Sequence, residues 1–284
     1  DDGNEIPLEG RVHLLPNAAN EYYPENFIPS QWIGEASNIG NHRKVYLFEA
    51  HKRDGKRQRV LAKAPMYSVW FSYENDSDIS SISGYDVQKS SKRELMLLLR
   101  LRSFGVPCEQ PLGFFEEGKE QWIYTVFVEG ENPLDVLKDP SRRQSLWMAD
   151  ARLLARLCMA RVRYRNYDHS FDDRLFANGE MILLDVQEAH DMFDHRVYGE
   201  SLKEKPGRLS EYHESWLNDC VHGYMHIPLE KELAMTREEA IRYVQTFLET
   251  KPHSNPARAE EIVDSIKEDR MSEDRYIAIM SECD

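Results

Sequence analysis

The chain has 284 residues, of which 41% are hydrophobic and 30% are charged, proportions typical of a globular protein. Its 50 acidic and 36 basic residues give a formal charge of −14, which repels nucleic acid, so we expect no nucleic-acid partner. No apolar run approaches the roughly 18 residues of a membrane span. We therefore expect a cytoplasmic protein with no transmembrane segment, while peripheral membrane contact stays open.

The first part of the chain predicts a small antiparallel sheet. Residues 1–26 are polar and contain several prolines, so we predict an irregular lead-in segment there. Three runs then alternate apolar and polar residues: "FIPSQWIGEAS", "RKVYLFEAH" and "RVLAKAP". Asp54 and Gly55 separate the second run from the third, which indicates a hairpin.

A helix and two more strands complete this predicted lobe. Residues 72–91 are rich in Ser and Asp and predict a mobile insert. The helix "KRELMLLLRLRSFG" follows, stopped by Gly105 and Pro107. "LGFFEE" and "QWIYTVFVEG" then predict two strands. Residues 27–130 are thus expected to form a five-stranded antiparallel sheet with one helix.

The second part of the chain, residues 131–284, is predicted to be mainly helical. A long helix is expected across roughly residues 141–162, and further helices after residue 195. Thr236 and Glu239 have capping-box spacing, and Asn255 precedes a proline as a helix cap would. The predicted fold class is therefore α+β, with a small sheet lobe and a larger helical lobe.

Three acidic residues surround a short apolar run between the two groups of helices. Asp168 is followed five residues later by Asp173, and Asp185 ends the run Met181–Leu184. Phosphoryl transfer from ATP needs Mg²⁺ on the phosphates, a cation on the inner phosphates and a carboxylate facing the attacking hydroxyl. Mg²⁺ prefers carboxylate oxygens, so this segment contains the acidic groups that the reaction requires.

The acidic segment resembles the catalytic segment of the protein-kinase-like superfamily. Asp168 and Asp173 have the spacing of its catalytic-loop base and metal ligand, and "LLDVQEA" at 183–189 is similar to its "LIDFG" segment. The resemblance implies a bilobal kinase-like fold that binds ATP and Mg²⁺. It implies that Asp168 is the catalytic base and that Asp173 and Asp185 hold the metal.

The first lobe resembles the nucleotide-binding lobe of the same superfamily. "VLAKA" is similar to its third-strand "VAIK", which implies that Lys63 contacts the inner phosphates and that Glu94 on the following helix pairs with it. "YTVFVEG" resembles the hinge, which implies that the backbone of Phe127 and Val128 hydrogen-bonds adenine. "GEASNIGNHRKVY" stands where the phosphate-covering loop belongs. The implied residues of that loop are Gly34, Ser37 and Asn38.

Several positions depart from the protein-kinase pattern. Asn166 and Tyr167 replace the His-Arg before the catalytic Asp, Gln187 stands where a Gly is usual, and no "APE" segment is present. The chain is in this respect more similar to lipopolysaccharide sugar kinases and aminoglycoside-type phosphotransferases. We therefore expect a phosphotransferase acting on a hydroxyl of a small molecule or glycan. An atypical Ser/Thr protein kinase and a catalytically impaired pseudokinase remain as alternatives.

Other features have two interpretations each. Glu94 either pairs with Lys63 or, with Ser91, forms a capping box at the start of the helix. The arginines between residues 142 and 165 are either a solvated helix face or an anion site. Four scattered cysteines predict reduced thiols, and Cys220 with neighbouring histidines could imitate a metal site.

Overall fold

The structure is a computed structural model that describes residues 11–38, 44–64, 91–117, 120–164, 171, 173–184, 186, 189–191, 208–226 and 233–266. The chain divides into two compact units. We call the first the sheet unit, which consists of Asp1–Leu99 and Glu109–Val128. We call the second the helical unit, which consists of Arg100–Cys108 and Glu129–Asp284.

Six strands in the described part of the sheet unit form one antiparallel sheet in the order β1-β5-β6-β4-β3-β2. They are β1 (Arg11–Leu14), β2 (Ile33–Asn38), β3 (Val45–His51), β4 (Arg57–Lys63), β5 (Pro111–Glu117) and β6 (Glu120–Val126). The α+β class and the five predicted strands are confirmed. The sheet has one strand more than we predicted, because β1 lies in the expected lead-in.

The lead-in segment differs from the predicted irregular conformation for a tertiary reason. Strand β1 pairs with β5, about a hundred residues later, and Gly113 permits this pairing because a Cβ there would meet the carbonyl oxygen of His13 at 2.1 Å. Helix α1 (Pro16–Glu21) and two 3-10 turns follow β1. Four residues of one strand give too weak a local pattern to identify it from the sequence.

An aromatic core covers one face of the sheet. Phe27, Phe48 and Tyr124 are fully or almost fully buried, and their rings meet edge to face at centroid distances of 5.0 to 6.1 Å. The hydroxyl of Tyr124 donates a hydrogen bond to the carbonyl oxygen of Phe27. Tyr22 of the lead-in joins this cluster, with its ring edge to face with that of Phe27 at 5.7 Å, and buried aromatic area of this kind is a large source of folding free energy.

The hairpin between β3 and β4 is confirmed. Residues pair from Val45 with Lys63 to His51 with Arg57. Gly55 has φ 85, which only glycine adopts without strain, and the Asp54 carboxylate accepts a hydrogen bond from the Lys56 amide at 3.0 Å. This register is what places Lys63 at the last position of β4.

Helix α2 (Ser91–Ser103) is confirmed, and it ends where the sequence predicted. Leu95, Leu98 and Leu101 are buried along it. Gly105 adopts φ 69 after the last turn, and the amide of Val106 donates to the carbonyl oxygen of Leu101 at 3.0 Å. A left-handed glycine with a hydrogen bond back onto the last turn is the usual way a helix ends.

The described helices of the helical unit are α3 (Pro133–Leu137), α4 (Pro140–Ala160), α5 (Arg208–His226), α6 (Arg237–Thr250) and α7 (Ala259–Ser265). Strands β8 (Arg174–Ala177) and β9 (Glu180–Leu183) form a hairpin, and β7 (Val162–Tyr164) pairs with β10 (Ala189–Asp191). Helix α4 packs against α6 and β9. None of the helices in the described residues is long and apolar enough to cross a membrane.

The helix caps follow the sequence closely. Thr236 and Glu239 form the predicted capping box, with reciprocal hydrogen bonds of 2.8 and 3.2 Å. The Asp139 carboxylate caps α4 by accepting from the Ser141 amide at 2.9 Å. Asn255 caps a single 3-10 turn that leads into α7, so the last helix begins one turn later than predicted.

Candidate nucleotide and metal site

Lys63 is a buried cation at the end of a central strand. It lies on β4, paired with Val45 on β3 and Ile123 on β6, and only 4% of its surface is exposed. Its ammonium forms an ion pair and hydrogen bond with the carboxylate of Glu109, which is 1% exposed. A charge removed from water in this way is costly unless it is paired, and Glu109 provides the pairing.

The carboxylate that pairs with Lys63 is therefore Glu109 and not the predicted Glu94. Glu109 lies just before β5, and its second oxygen accepts a hydrogen bond of 3.4 Å from Thr125 on the neighbouring strand β6. Glu94 is 5% exposed, lies in the first turn of α2 as described, and interacts with other groups. Sheet pairing brings Glu109 to Lys63, and no local pattern of residues indicates this contact.

The sheet unit buries few polar side chains. Among its described residues these are Lys63, Glu94, Glu109 and Thr125. A lysine ammonium has three N–H donors. Within the described residues, Glu109 is the one hydrogen-bond acceptor of the Lys63 ammonium, so donors remain for a ligand. An anion such as a phosphate matches those donors.

The two residues expected to bind adenine differ in how their backbone amides are used. The amide of Val126 donates to Gln110 at 2.9 Å, and the amide of Phe127 donates to Arg59 at 3.0 Å. The Arg59 guanidinium also lies 4.4 Å from the centre of the Phe127 ring. Within the described residues the amide of Val128 makes no backbone hydrogen bond. Of Phe127 and Val128, Val128 is thus the residue whose backbone N–H is available to hydrogen-bond adenine.

The predicted phosphate-covering residues lie on β2. Ser37 pairs with Leu47 and Asn38 with Tyr46, and the register shifts between Ile33 and Ser37, where Gly34 lies. Residues 39–43 are outside the described part of the chain. The contribution of Gly34, Ser37 and Asn38 to a phosphate site stays a prediction.

Of the three predicted acidic residues, the structure describes Asp173. Asp168 and Asp185 lie outside the described residues. The carbonyl oxygen of Asp173 accepts a hydrogen bond of 2.7 Å from the amide of Leu184, which extends the β8–β9 hairpin by one pair. The continuously described part of this segment ends at Leu184, so the roles of Asp168, Asp173 and Asp185 as base and metal ligands stay predictions.

A buried polar network that the sequence analysis missed begins at the residue after Asp173. The Arg174 guanidinium donates to the Asp150 carboxylate at 2.7 Å and to the Tyr224 hydroxyl at 3.1 Å. The hydroxyls of Tyr224 and Tyr243 donate to the other Asp150 oxygen at 3.0 and 2.8 Å. Burial raises the pKa of Tyr224 well above its usual value, so its hydroxyl keeps the proton that it donates.

A sequence signal for this network existed. Asp150 is a single acidic residue inside the apolar helix segment "LWMADARLLARL", and Arg174 begins the apolar strand "RLFA". Lone charges in buried elements need partners. The identity of those partners could not be read from the sequence, because Tyr224 and Tyr243 are 74 and 93 residues from Asp150.

Three described arginines of the 142–165 region pair with carboxylates. Arg142 binds the Glu131 carboxylate with two hydrogen bonds of 2.7 and 2.6 Å, and Arg143 binds Glu239 at 2.6 and 3.1 Å. Arg156 reaches Glu180 at 3.2 Å. The interpretation as a paired helix face is supported for these three residues, and the anion-site alternative at Arg163 and Arg165 lies outside the described side chains.

The cysteine and histidine alternative also finds no support. Cys108, Cys158 and Cys220 are buried free thiols, as predicted for reduced cysteines. Burial raises the pKa of Cys158 to about 12, so its thiol stays protonated at neutral pH. In the part of the chain that the structure describes, no group of three or more His, Cys, Asp or Glu side chains could hold a metal ion.

Two comparisons with known proteins find no match. No protein-family model matches the sequence. No curated protein sequence is similar to it. The interpretation of the site therefore depends on its own geometry and on the sequence motifs.

Proposed function

We propose that the chain is an ATP- and Mg²⁺-dependent phosphotransferase that moves the γ-phosphate to a hydroxyl group of a small molecule or glycan. The observation that carries the proposal is the buried ammonium of Lys63, with donors left for an anion, on a strand of an antiparallel sheet. Lysine is a common phosphate ligand in proteins, where its ammonium acts as a point charge with three N–H donors. The motif order along the chain supports the same assignment.

The nucleotide would be held by the sheet unit. Lys63 would donate to the inner phosphates, and Glu109 would orient its ammonium. The amide of Val128 would hydrogen-bond the base. Glu94, which the sequence suggested as the orienting residue, is not needed for this role, because Glu109 already contacts Lys63.

The carboxylates of the helical unit would provide the remaining groups. Asp173 and Asp185 would hold Mg²⁺, which neutralises charge on the phosphates when bound. Asp168 would accept the proton of the attacking hydroxyl. The hydrogen bond from the Leu184 amide to the Asp173 carbonyl oxygen supports this assignment, because Leu184 is the residue before Asp185 in the sequence.

Nucleotide titration with and without Mg²⁺, together with turnover, tests these roles in three variants. Asp185→Asn should weaken binding of Mg·ATP, because the ion loses an anionic ligand. Asp168→Asn should leave binding of Mg·ATP nearly unchanged and lower kcat. Asp173→Asn should have the mildest effect, because an amide oxygen still ligates the metal. Equal loss of Mg·ATP affinity in Asp168→Asn and Asp185→Asn would contradict the assigned roles.

A second candidate is a nucleotide-binding pseudokinase. Asn166, Tyr167 and Gln187 depart from the catalytic pattern, whereas the Lys63–Glu109 pair that would bind nucleotide is intact. A pseudokinase would bind ATP and show no turnover with any acceptor. A panel of sugars, aminoglycosides, choline-like amines and glycans, together with a generic protein substrate, distinguishes the two candidates and the protein-kinase alternative.

A further inference from the structure

The buried network around Asp150 is larger than a helical core requires. Arg174 and Asp150 are 2% and 0% exposed, and the hydroxyls of Tyr224 and Tyr243 both donate to Asp150. A buried ion pair adds little stability over apolar side chains of similar size. The position of this pair in the chain suggests another purpose, because Arg174 directly follows Asp173.

The network holds the chain on both sides of Asp173. On the preceding side, the carbonyl oxygen of Phe171 accepts from the Arg174 amide at 3.0 Å, and the Arg174 guanidinium lies 4.5 Å from the centre of the Phe171 ring. That ring stacks on Tyr224 with a centroid distance of 5.6 Å and an interplanar angle of 5°. On the other side, the carbonyl oxygen of Asp173 accepts from the Leu184 amide.

Three separate helices supply the groups that hold Arg174. Asp150 lies on α4, Tyr224 on α5 and Tyr243 on α6. These helices cannot shift relative to one another without breaking hydrogen bonds in a buried place, and such losses are costly. Arg174 is therefore fixed by the packed core of the helical unit, and the residue before it is fixed with it.

We propose that Arg174 and Asp150 are positioning residues, which hold Asp173 against Leu184 so that its carboxylate is preorganised for a divalent cation. This inference rests on the proposed function, which assigns Asp173 as a ligand of Mg²⁺. Groups that ligate a metal work best when neighbouring contacts fix their orientation. Here the neighbouring contact is the side chain of the next residue.

The test compares two tyrosine variants of the full-length chain. Tyr224→Phe removes a hydroxyl that contacts both Asp150 and Arg174, and Tyr243→Phe removes a hydroxyl that donates to the same Asp150 oxygen. Both lose a buried hydroxyl, so both should lower thermal stability by similar amounts. If the network were only structural, the two variants would also have the same Leu184 amide exchange and the same Mg²⁺ dependence of ATP binding.

Amide hydrogen exchange of Leu184, followed by NMR in the absence of nucleotide, is the first measurement. In Tyr224→Phe we expect exchange about tenfold faster than in the wild type, and in Tyr243→Phe less than about threefold faster. Arg174→Lys should resemble Tyr224→Phe, because lysine keeps the charge and loses the planar fork. Arg156→Lys, at the Glu180 ion pair of the same hairpin, is the control and should leave the Leu184 amide unchanged.

Binding of ATP over a Mg²⁺ titration is the second measurement. Tyr224→Phe should require about tenfold more Mg²⁺ than Tyr243→Phe, while metal-free ATP affinity is equal in both. If wild-type protein binds Mg·ATP and the two variants have equal Leu184 exchange and equal Mg²⁺ dependence, the positioning role is wrong and the proposed function stands. If the wild type shows no Mg²⁺-dependent binding, the proposed function and the metal role are both rejected, whatever the exchange rates.

Discussion

The sheet unit and the helical unit each bury a cation–carboxylate pair in their described residues, and the two pairs differ in how completely they are hydrogen-bonded. Arg174 and Asp150 share further hydrogen bonds with two tyrosine hydroxyls. Lys63 binds Glu109, whose other oxygen has one long contact of 3.4 Å with Thr125. The Arg174–Asp150 pair is part of the core of the helical unit, whereas the Lys63 ammonium has, within the described residues, donors left for a ligand.

This difference separates a positioning role from a binding role. Burial alone does not distinguish them, since the side chains of both pairs are 5% exposed or less. The number of unused donors does. A network held by groups from three helices resists change, whereas an ammonium with spare donors gains from a phosphate.

The largest effect is expected from breaking the core pair. Asp150→Leu leaves a buried guanidinium and two tyrosine hydroxyls without their acceptor, so the free energy of unfolding should fall by about 3–5 kcal/mol. Denaturant unfolding of the full-length chain measures this value. Asp135→Leu is the control, because this carboxylate is exposed and its 4.0 Å contact with Lys138 is weak. A loss below about 1 kcal/mol in Asp150→Leu would show that the network is not tightly coupled.

The next effect concerns the binding pair. The double variant Lys63→Met with Glu109→Leu replaces both charges by apolar groups, so stability should stay close to that of the wild type. Its affinity for ATP should fall at least about a hundredfold, because the phosphate loses its cation. Isothermal titration with ATP measures the affinity, and Lys56→Met in the exposed hairpin turn is the control. Wild-type affinity in the double variant would reject Lys63 as the nucleotide ligand.

A smaller effect distinguishes the two buried glutamates of the sheet unit. Glu109→Gln keeps the shape of the side chain but removes the charge that orients Lys63, so ATP affinity should fall about tenfold. Glu94→Gln should change it less than about twofold, since Lys63 pairs with Glu109. Titration of both variants under one condition makes the comparison. The reverse order would restore Glu94 as the orienting residue, and tighter binding in Glu109→Gln would show that Glu109 competes with the phosphate.

The smallest effect concerns the buried histidine His213, whose Nε2 has no hydrogen-bond partner among the described residues. His213 is 5% exposed, and burial, together with the charges of Lys251 and Arg161, lowers its pKa from 6.5 to about 4. The unfolded chain therefore binds more protons than the folded chain between these two pH values, and the free energy of unfolding falls as the pH falls through that window.

Replacement of His213 by Gln tests this linkage. The loss of stability between pH 7 and pH 5.5 should be about 1 kcal/mol smaller in His213→Gln than in the wild type. Urea unfolding at both pH values measures the difference. His222→Gln is the control, because the pKa of His222 is lowered less far. An equal pH dependence in His213→Gln and the wild type would show that His213 is not the group responsible.

The sequence predicted those parts of the structure that depend on near neighbours. The β3–β4 hairpin follows from Asp54 and Gly55, the end of α2 from Gly105, and the start of α6 from Thr236 and Glu239. Each is decided by backbone conformation and hydrogen bonds within a few residues. Lys63 was also identified from near neighbours, through the similarity of "VLAKA" to a third-strand motif.

What the sequence by itself determined was five of the six strands of the sheet, the end of α2 and the start of α6. The tertiary structure decided which charges meet. Lys63 and Glu109 are 46 residues apart, Arg174 and Asp150 are 24 apart, and β1 pairs with a strand about a hundred residues later. Such contacts are set by sheet register and helix packing, which sum many weak interactions over the whole unit, and no local pattern of residues encodes the identity of a distant partner.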